Sequence, residues 1–373
     1  MTVNYQLMRS NRKSFRFRLQ LFIKYLLRIV TGKTKEKFTY DVCYSSPKLC
    51  PVDVFEIDFI TDSGTLSAAF GSASACGMGH GMNRLASSRD RKYYLPRAIE
   101  AVWISKIDRK VYSVLALLPY DEIVSLFKRH KELQRLDLCL LPEGNIILYV
   151  KGTSYRILLN WIVSAYEEDN EEILEYIYCS RASSSMKDYF DSIFSEELHI
   201  WQRYLREKGN LSSLISLSLQ RFNYELNFEF EDESTHDLKI WTRFLNNEIY
   251  PRYNKDIIML SRPKELYVLW DSCYFHYTSY MYFNEDEIIR AFDEAYGDDR
   301  MQKGELKIKV SKDNSLFDIS LNVGEKSIKL ENTEIRVFLD PVDEPNGDGT
   351  LIYKNYKGNH KNLSFDEEGY FEA

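Results

Sequence analysis

Apolar and polar positions along the chain fall into two local periods. Ile99, Ala101 and Trp103 alternate with polar or small neighbours, and Tyr112, Val114, Ala116 and Leu118 alternate again, which predicts two adjacent strands. The next stretch, DEIVSLFKRH, sets Ile123, Leu126 and Phe127 on one face of a short helix. Two further strands follow, turned at Pro142-Glu143-Gly144-Asn145, and upstream VDVFEIDFITDSGTLSAAFG reads as a hairpin turned at Asp62-Ser63-Gly64. Downstream, Phe190, Phe194, Leu198, Trp201 and Leu205 step by helical spacings, with Gly209 as a stop, and the helix they predict is expected to pack between neighbouring lobes.

The hairpin–helix–hairpin pattern occurs twice. At an offset of 167, Pro96, Trp103 and Ser105 meet Pro263, Trp270 and Ser272. At 165, Tyr112, Asp121, Glu122, Ile123 and Phe127 meet Tyr277, Asp286, Glu287, Ile288 and Phe292. Gly152 and Gly324 then close two similar strand runs. Eight identities over 29 aligned positions, one of them tryptophan, predict a duplicated module. The expected fold is α+β: two related lobes, each an antiparallel sheet with a short helix, joined by a helical connector. The boundaries are 1–37 for a basic amphipathic helix, 38–165 for the first lobe, 166–221 for the connector, 222–340 for the second lobe and 341–373 for a turn-rich acidic tail.

Charge changes the picture at the N-terminus. The chain of 373 residues carries a formal charge of −7, but residues 1–37 contribute +9, so the remainder stands at −16. That remainder argues against a nucleic-acid partner. In the basic segment Phe15, Leu19, Phe22 and Leu26 form an apolar stripe, with Arg12, Lys13 and Arg16 among the polar positions. These seven are the candidate contacts to an anionic membrane surface; the competing reading docks the same helix on the acidic body of the chain. Association with the cell envelope, or with the cytoplasmic face of a membrane, is the corresponding expectation for location.

Motifs that would carry chemistry are weak. Gly77, Gly79 and Gly81 suggest a phosphate cradle, but no apolar helical stripe opens after them, so a flexible connection between strands is expected. Cys76 and His80 lack a second ligand pair, Cys43 and Cys50 could bridge in an oxidising compartment, and the six histidines lie outside nucleophile motifs. No metal, no cofactor and no catalytic residue is predicted. Asp121-Glu122 and Asp286-Glu287 fit helix starts, Asn284 and Glu287 form a capping box, and Ser105 and Ser272 read as strand ends. Trp103 and Trp270 are expected in the core. The crowd of Tyr274, Tyr277, Tyr280 and Tyr282 should split between a buried and an exposed face; an ordinary half-solvated sheet face is the favoured reading, and a contact surface for a protein or glycan partner is the alternative.

The series Leu95-Pro96, Trp103-Ile104-Ser105, Tyr112, Pro119, Ile123 and Pro142-Glu143-Gly144, with a strand closed by Gly152, resembles the bacterial family known as domain of unknown function 2931. The likeness covers about residues 50–165, and 222–340 more loosely. The family is often lipoprotein-like, yet Cys43 lacks the small residue that lipidation needs before it. The resemblance implies no catalytic residues. The expected function is therefore a bacterial binding or interaction protein with an unidentified protein partner. The alternatives are a hydrolase or transferase whose site assembles from distant residues, and a membrane-surface scaffold.

Overall fold

A computed structural model describes residues 36–47, 50–68, 71–73, 77–81, 83–85, 92–168, 185–192, 211–251, 259–272, 275–341 and 349–357. The first half opens with β1 (Asp41–Ser45), β2 (Val52–Thr61), β3 (Gly64–Ala68), β4 (Gly71–Ala73) and β5 (Asn83–Leu85). The hairpin β6 (Ala98–Ser105) and β7 (Lys110–Leu117) leads through helix α1 (Tyr120–Arg129) to β8 (Arg135–Leu140) and β9 (Asn145–Lys151), then to β10 (Arg156–Ser164) and β11 (Tyr166–Glu167). Helices α2 (Met186–Ser192) and α3 (Leu211–Leu219) precede the second half. There β12 (Tyr224–Phe230), β13 (Thr235–Phe244) and β14 (Ile249–Pro251) come before the hairpin β15 (Pro263–Ser272) and β16 (Phe275–Tyr282). Helix α4 (Glu285–Tyr296) then leads to β17 (Gly304–Val310), β18 (Phe317–Val323), β19 (Lys326–Lys329), β20 (Glu334–Pro341) and, within the segment read as a turn-rich tail, β21 (Thr350–Lys354).

The pairing order recurs. In the first half β2 lies antiparallel on β6 and β6 on β7, α1 crosses over, and β8 runs parallel to β1. In the second half β13 lies on β15 and β15 on β16, α4 crosses over, and β17 runs parallel to β12. Trp103 stands directly opposite Tyr112, and Trp270 directly opposite Tyr277. Both tryptophans are fully buried, as are Ile123 and Phe127 of α1 and Ile288 and Phe292 of α4. The Asn284 side chain caps α4 by accepting from the Glu287 N–H at 3.0 Å. The Glu287 carboxylate does not reach back. It accepts instead from the N–H groups of Glu331 and Asn332, each at 2.9 Å.

The α+β architecture of two lobes on a helical connector is overturned. Of the described residues, 53% are strand and 15% helix. The second sheet of the first half continues into the first sheet of the second half as one eleven-stranded sheet, β21-β20-β16-β15-β13-β14-β10-β9-β8-β1-β5. The remaining strands form a six-stranded sheet, β11-β7-β6-β2-β3 with β4 also on β2, and a four-stranded sheet, β12-β17-β18-β19. The halves are joined through β14, which pairs with β10 and β13. A helical period along the connector says nothing about that distant pairing. Of the helix expected from Phe190 to Leu205, only Phe190 lies among the described residues, in α2; Phe194, Leu198, Trp201, Leu205 and Gly209 lie outside them. Tyr189 and Phe190 pack on Val102, Ile104 and Val111, on the outer face of the β6–β7 hairpin. That cover accounts for the burial of Val102 and Ile104 on the face of β6 that alternation left open to water. Among the described residues no helix is long and apolar enough to cross a membrane.

Candidate functional site

The outer face of the second-half sheet has no such cover from α2 or α3. One rung crosses four strands: Trp241 opposite Tyr267, Tyr267 opposite Tyr280, and Tyr280 opposite Arg336. Alternation along each strand sends Leu266, Val268 and Trp270 inward and turns these rings outward, half-exposed. The row is continuous, with centroids 5.3 Å apart for Trp241–Tyr267, 5.0 Å for Tyr267–Tyr280 and 6.0 Å for Tyr280–Phe338. The Arg336 guanidinium lies 4.6 Å over the Tyr280 ring and donates to the Tyr282 hydroxyl at 3.0 Å. Leu351 of the edge strand stands opposite Phe338 and is 49% exposed, so the apolar strip runs to the sheet edge. Burial pushes the Tyr267 phenol up, with Tyr280 and Asp340 adding to the shift.

Four residues further along the same strands lies a second rung: His236 opposite Asp271, Asp271 opposite His276, and His276 opposite Asp340. His236, Asp237 and Asp271 bring one ligand atom each within 4.8 Å of one another. The ladder slips between His236 and Lys239, and Asp237 is left-handed at φ 52°. Sequence reasoning missed this group, because a regular strand would send His236 and Asp237 to opposite faces.

The glycine loop is neither a phosphate cradle nor an open connection. Residues 77–81 are buried. The Gly77 N–H donates to the Ser46 carbonyl at 2.9 Å, Gly79 N–H to Ser45 Oγ at 3.1 Å, and Gly81 N–H to Asp137 Oδ2 at 2.6 Å. Its backbone donors are thus spent on a carbonyl, a hydroxyl and a carboxylate of the protein itself. Gly79 has φ 70°, and a Cβ there would meet Arg156 Cδ at 2.8 Å. His80 faces Arg156, with Nε2 2.8 Å from Nη1. Because a guanidinium only donates, the imidazole accepts and is held neutral; burial first, then Arg156, lower its pKa far below the ordinary 6.5.

A pH dependence follows. Above about pH 6.5 His80 is neutral in folded and unfolded chains alike. Below it the unfolded chain takes a proton that the folded one refuses, so folding stability declines by about 1.4 kcal/mol for each pH unit. Between about pH 6.5 and about pH 5, wild type should lose about 2 kcal/mol more than His80→Gln. Urea unfolding of both chains across that range checks it; parallel pH profiles would remove His80 as the cause.

A groove of about 610 Å³ lies between β9, β10 and α3, with Ile147, Leu158, Ile215 and Leu219 on its apolar side and Arg221 at its rim. Arg221 donates to Glu248 Oε1 at 2.7 Å and to the Leu158 carbonyl at 3.0 Å, so its charge is committed to the joint between the halves.

The sequence-predicted positions divide clearly. Trp103 packs against Tyr112 with ring centroids 5.6 Å apart and planes tilted by 36°, the Tyr112 ring lies under Gly144, and Asp108 Oδ2 accepts from both the Tyr112 hydroxyl and the Glu143 N–H. Ser105 accepts from the Asp108 N–H at 3.4 Å, while Ser272 donates to Asp232. These motif residues build a turn; they do not converge on a cavity. Tyr277 stacks inward on Trp270 at 5.4 Å and Tyr280 faces outward, but Tyr282, of the same parity as Tyr280, is buried, and Tyr274 lies outside the described residues. Cys43 and Cys50 are buried free thiols. Arg12, Lys13, Phe15, Arg16, Leu19, Phe22 and Leu26 lie outside the described residues.

Residues 30–197 match a family described as protein of unknown function (DUF2931). No curated protein and no solved structure matches the chain.

Proposed function

We propose, for a protein whose residues 30–197 belong to the DUF2931 family, that it works as a non-catalytic binding protein whose contact surface is the outer face of the second-half sheet. The partner is a protein. The carrying observation is the half-exposed row Trp241–Tyr267–Tyr280–Phe338, contiguous over four strands. Tyrosine and tryptophan give large contact area at small entropic cost and are the residue types that dominate protein interfaces. The rings are tilted by 47° and 44° and then edge-on at 88°, so they shield one another's faces. That favours side-chain interdigitation with a protein over flat stacking on sugar rings. The recurrent pairing order and the matched Trp–Tyr rungs support descent of both halves from one module, with the outer face covered by α2 in the first half and left for a partner in the second.

The test is affinity capture on the full chain from its native host, followed by reconstitution with the purified partner. Tyr267→Ala and Tyr280→Ala should each weaken binding by about 30-fold, the scale of a central interface residue. A partner retained equally by both variants would place the contact elsewhere and defeat the reading.

A further inference from the structure

We propose that His236, Asp237 and Asp271 form a binding site for a divalent first-row transition cation, Zn2+ being the representative ion, with His276 holding Asp271 in place. The inference is independent of the partner-binding reading. Its geometry begins with the bulge. In an undistorted strand consecutive side chains diverge, but the slip after His236, with Asp237 left-handed at φ 52°, brings both side chains to Asp271 on the adjacent strand. An aspartate in that conformation is uncommon outside turns, and here it completes a three-residue donor set. Among the described residues this is the one group of three or more His, Cys, Asp or Glu with ligand atoms so close together.

The neighbours of these residues suit metal binding. The Nδ1 of His236 lies 2.9 Å from the Ser234 carbonyl oxygen. Nδ1 therefore carries the proton and Nε2 keeps its lone pair, the arrangement in which a ligating histidine donates its second nitrogen to a backbone carbonyl. Asp271 Oδ1 is hydrogen-bonded to His276 Nδ1, which leaves Oδ2 for the cation and fixes the carboxylate's orientation. One imidazole and two carboxylates balance a 2+ charge and supply a mixed nitrogen and oxygen set. That set suits Zn2+ or Co2+ better than Ca2+, which takes six to eight oxygens. His236 and Asp237 are exposed and Asp271 is half-buried, so the ion enters without any opening of the fold. Three protein ligands leave a fourth tetrahedral position for water or for a donor from outside the chain. The site stands four residues, about 13 Å, along the strands from the Tyr267–Tyr280 pair.

The experiment is calorimetric titration of the chelator-stripped full chain with Zn2+, paired with Co2+ absorption spectroscopy. Wild type should show a saturable site. Asp237→Asn, which keeps a residue tolerant of the left-handed conformation, and Asp271→Asn should each weaken it at least ten-fold, while His130→Gln leaves it unchanged. Bound Co2+ should give visible d–d bands without thiolate charge transfer, and these should fade in both Asn variants. Thermal unfolding without metal serves as the control for folding, since neither position belongs to the core. The proposal is overturned if Zn2+ affinity is the same in wild type and the Asn variants, if thiolate charge transfer dominates the Co2+ spectrum, or if wild type binds no Zn2+ at millimolar concentration.

Discussion

Glu248→Ala should be among the most destabilising single substitutions in the protein, costing about 3–5 kcal/mol, because it removes one partner of a buried ion pair and leaves the other behind. Glu248 is wholly buried in the turn between β13 and β14. Its carboxylate accepts from Arg221 Nη2 at 2.7 Å, the Tyr250 hydroxyl at 2.8 Å, the Leu158 N–H at 3.1 Å and Asn246 Nδ2 at 2.7 Å. Burial and this carboxylate hold the Tyr250 phenol well above its ordinary pKa, so the hydroxyl stays a donor. The same turn grips the first half at three more points. Tyr149 donates to the Asn246 carbonyl at 2.7 Å, Asn247 Nδ2 to the Met78 carbonyl at 3.2 Å, and Arg156 Nη1 to the Asn247 carbonyl at 3.4 Å. Alanine would orphan donors on both sides of the place where the eleven-stranded sheet changes from one half to the other. Glu248→Gln keeps an acceptor and loses the charge, so it should cost about 1–3 kcal/mol. Urea unfolding by circular dichroism measures both, and hydrogen exchange at the Leu158 amide reports the joint itself. A loss under about 1 kcal/mol for the alanine variant would show that backbone pairing alone holds the halves together.

How much of this was legible in the sequence depends on how local each signal is. The turns at Asp62-Ser63-Gly64 and Pro142-Glu143-Gly144, the Asn284 cap and the inward tryptophans are written within a few residues, and each forms. The joint between the halves is not. Asn246, Asn247 and Glu248 read as an ordinary polar turn, and nothing in them says that their partners are His80's neighbour Arg156, Tyr149 and Leu158 on strands about a hundred residues earlier. The α+β expectation failed for the same reason: helical spacing around Phe190 spoke only of a local apolar face, whereas sheet continuity was decided by which edge β14 found. Tyrosine alternation foretold a division of the rings on β16, though not that Tyr282 would be buried beside the half-exposed Tyr280. Trp241, Tyr267 and Phe338 join Tyr280 only through the registers of β13, β15 and β20. The cation site was hidden further still, since the period of two that marks a strand is the rule its bulge breaks.

The two tryptophan rungs differ in one hydrogen bond, and that difference should be measurable. Trp270 Nε1 donates to Asn314 Oδ1 at 3.2 Å, and Asn314 is buried and left-handed at φ 55°. In the first half the corresponding turn, between β8 and β9, holds Gly144 at φ 72°, whose missing side chain lets it close on the Tyr112 ring, and Trp103 Nε1 finds no acceptor among the described residues. Truncation to alanine opens a large cavity at either place, so Trp103→Ala and Trp270→Ala should each cost about 3–5 kcal/mol. Phenylalanine separates them. At position 103 it fills much of the volume and removes an unpartnered buried N–H, which offsets part of the cavity term. At position 270 it strands the Asn314 carbonyl in the core, adding the desolvation cost of an unsatisfied acceptor. Trp270→Phe should therefore cost about 1–3 kcal/mol more than Trp103→Phe, and adding Asn314→Gly should change the stability of the Trp270→Phe chain less than it changes that of wild type. Chemical denaturation of the two Phe variants and of this double-mutant cycle supplies the numbers. Equal losses in the two Phe variants would mean that the Trp270–Asn314 bond contributes nothing net, and that ring packing alone stabilises both rungs.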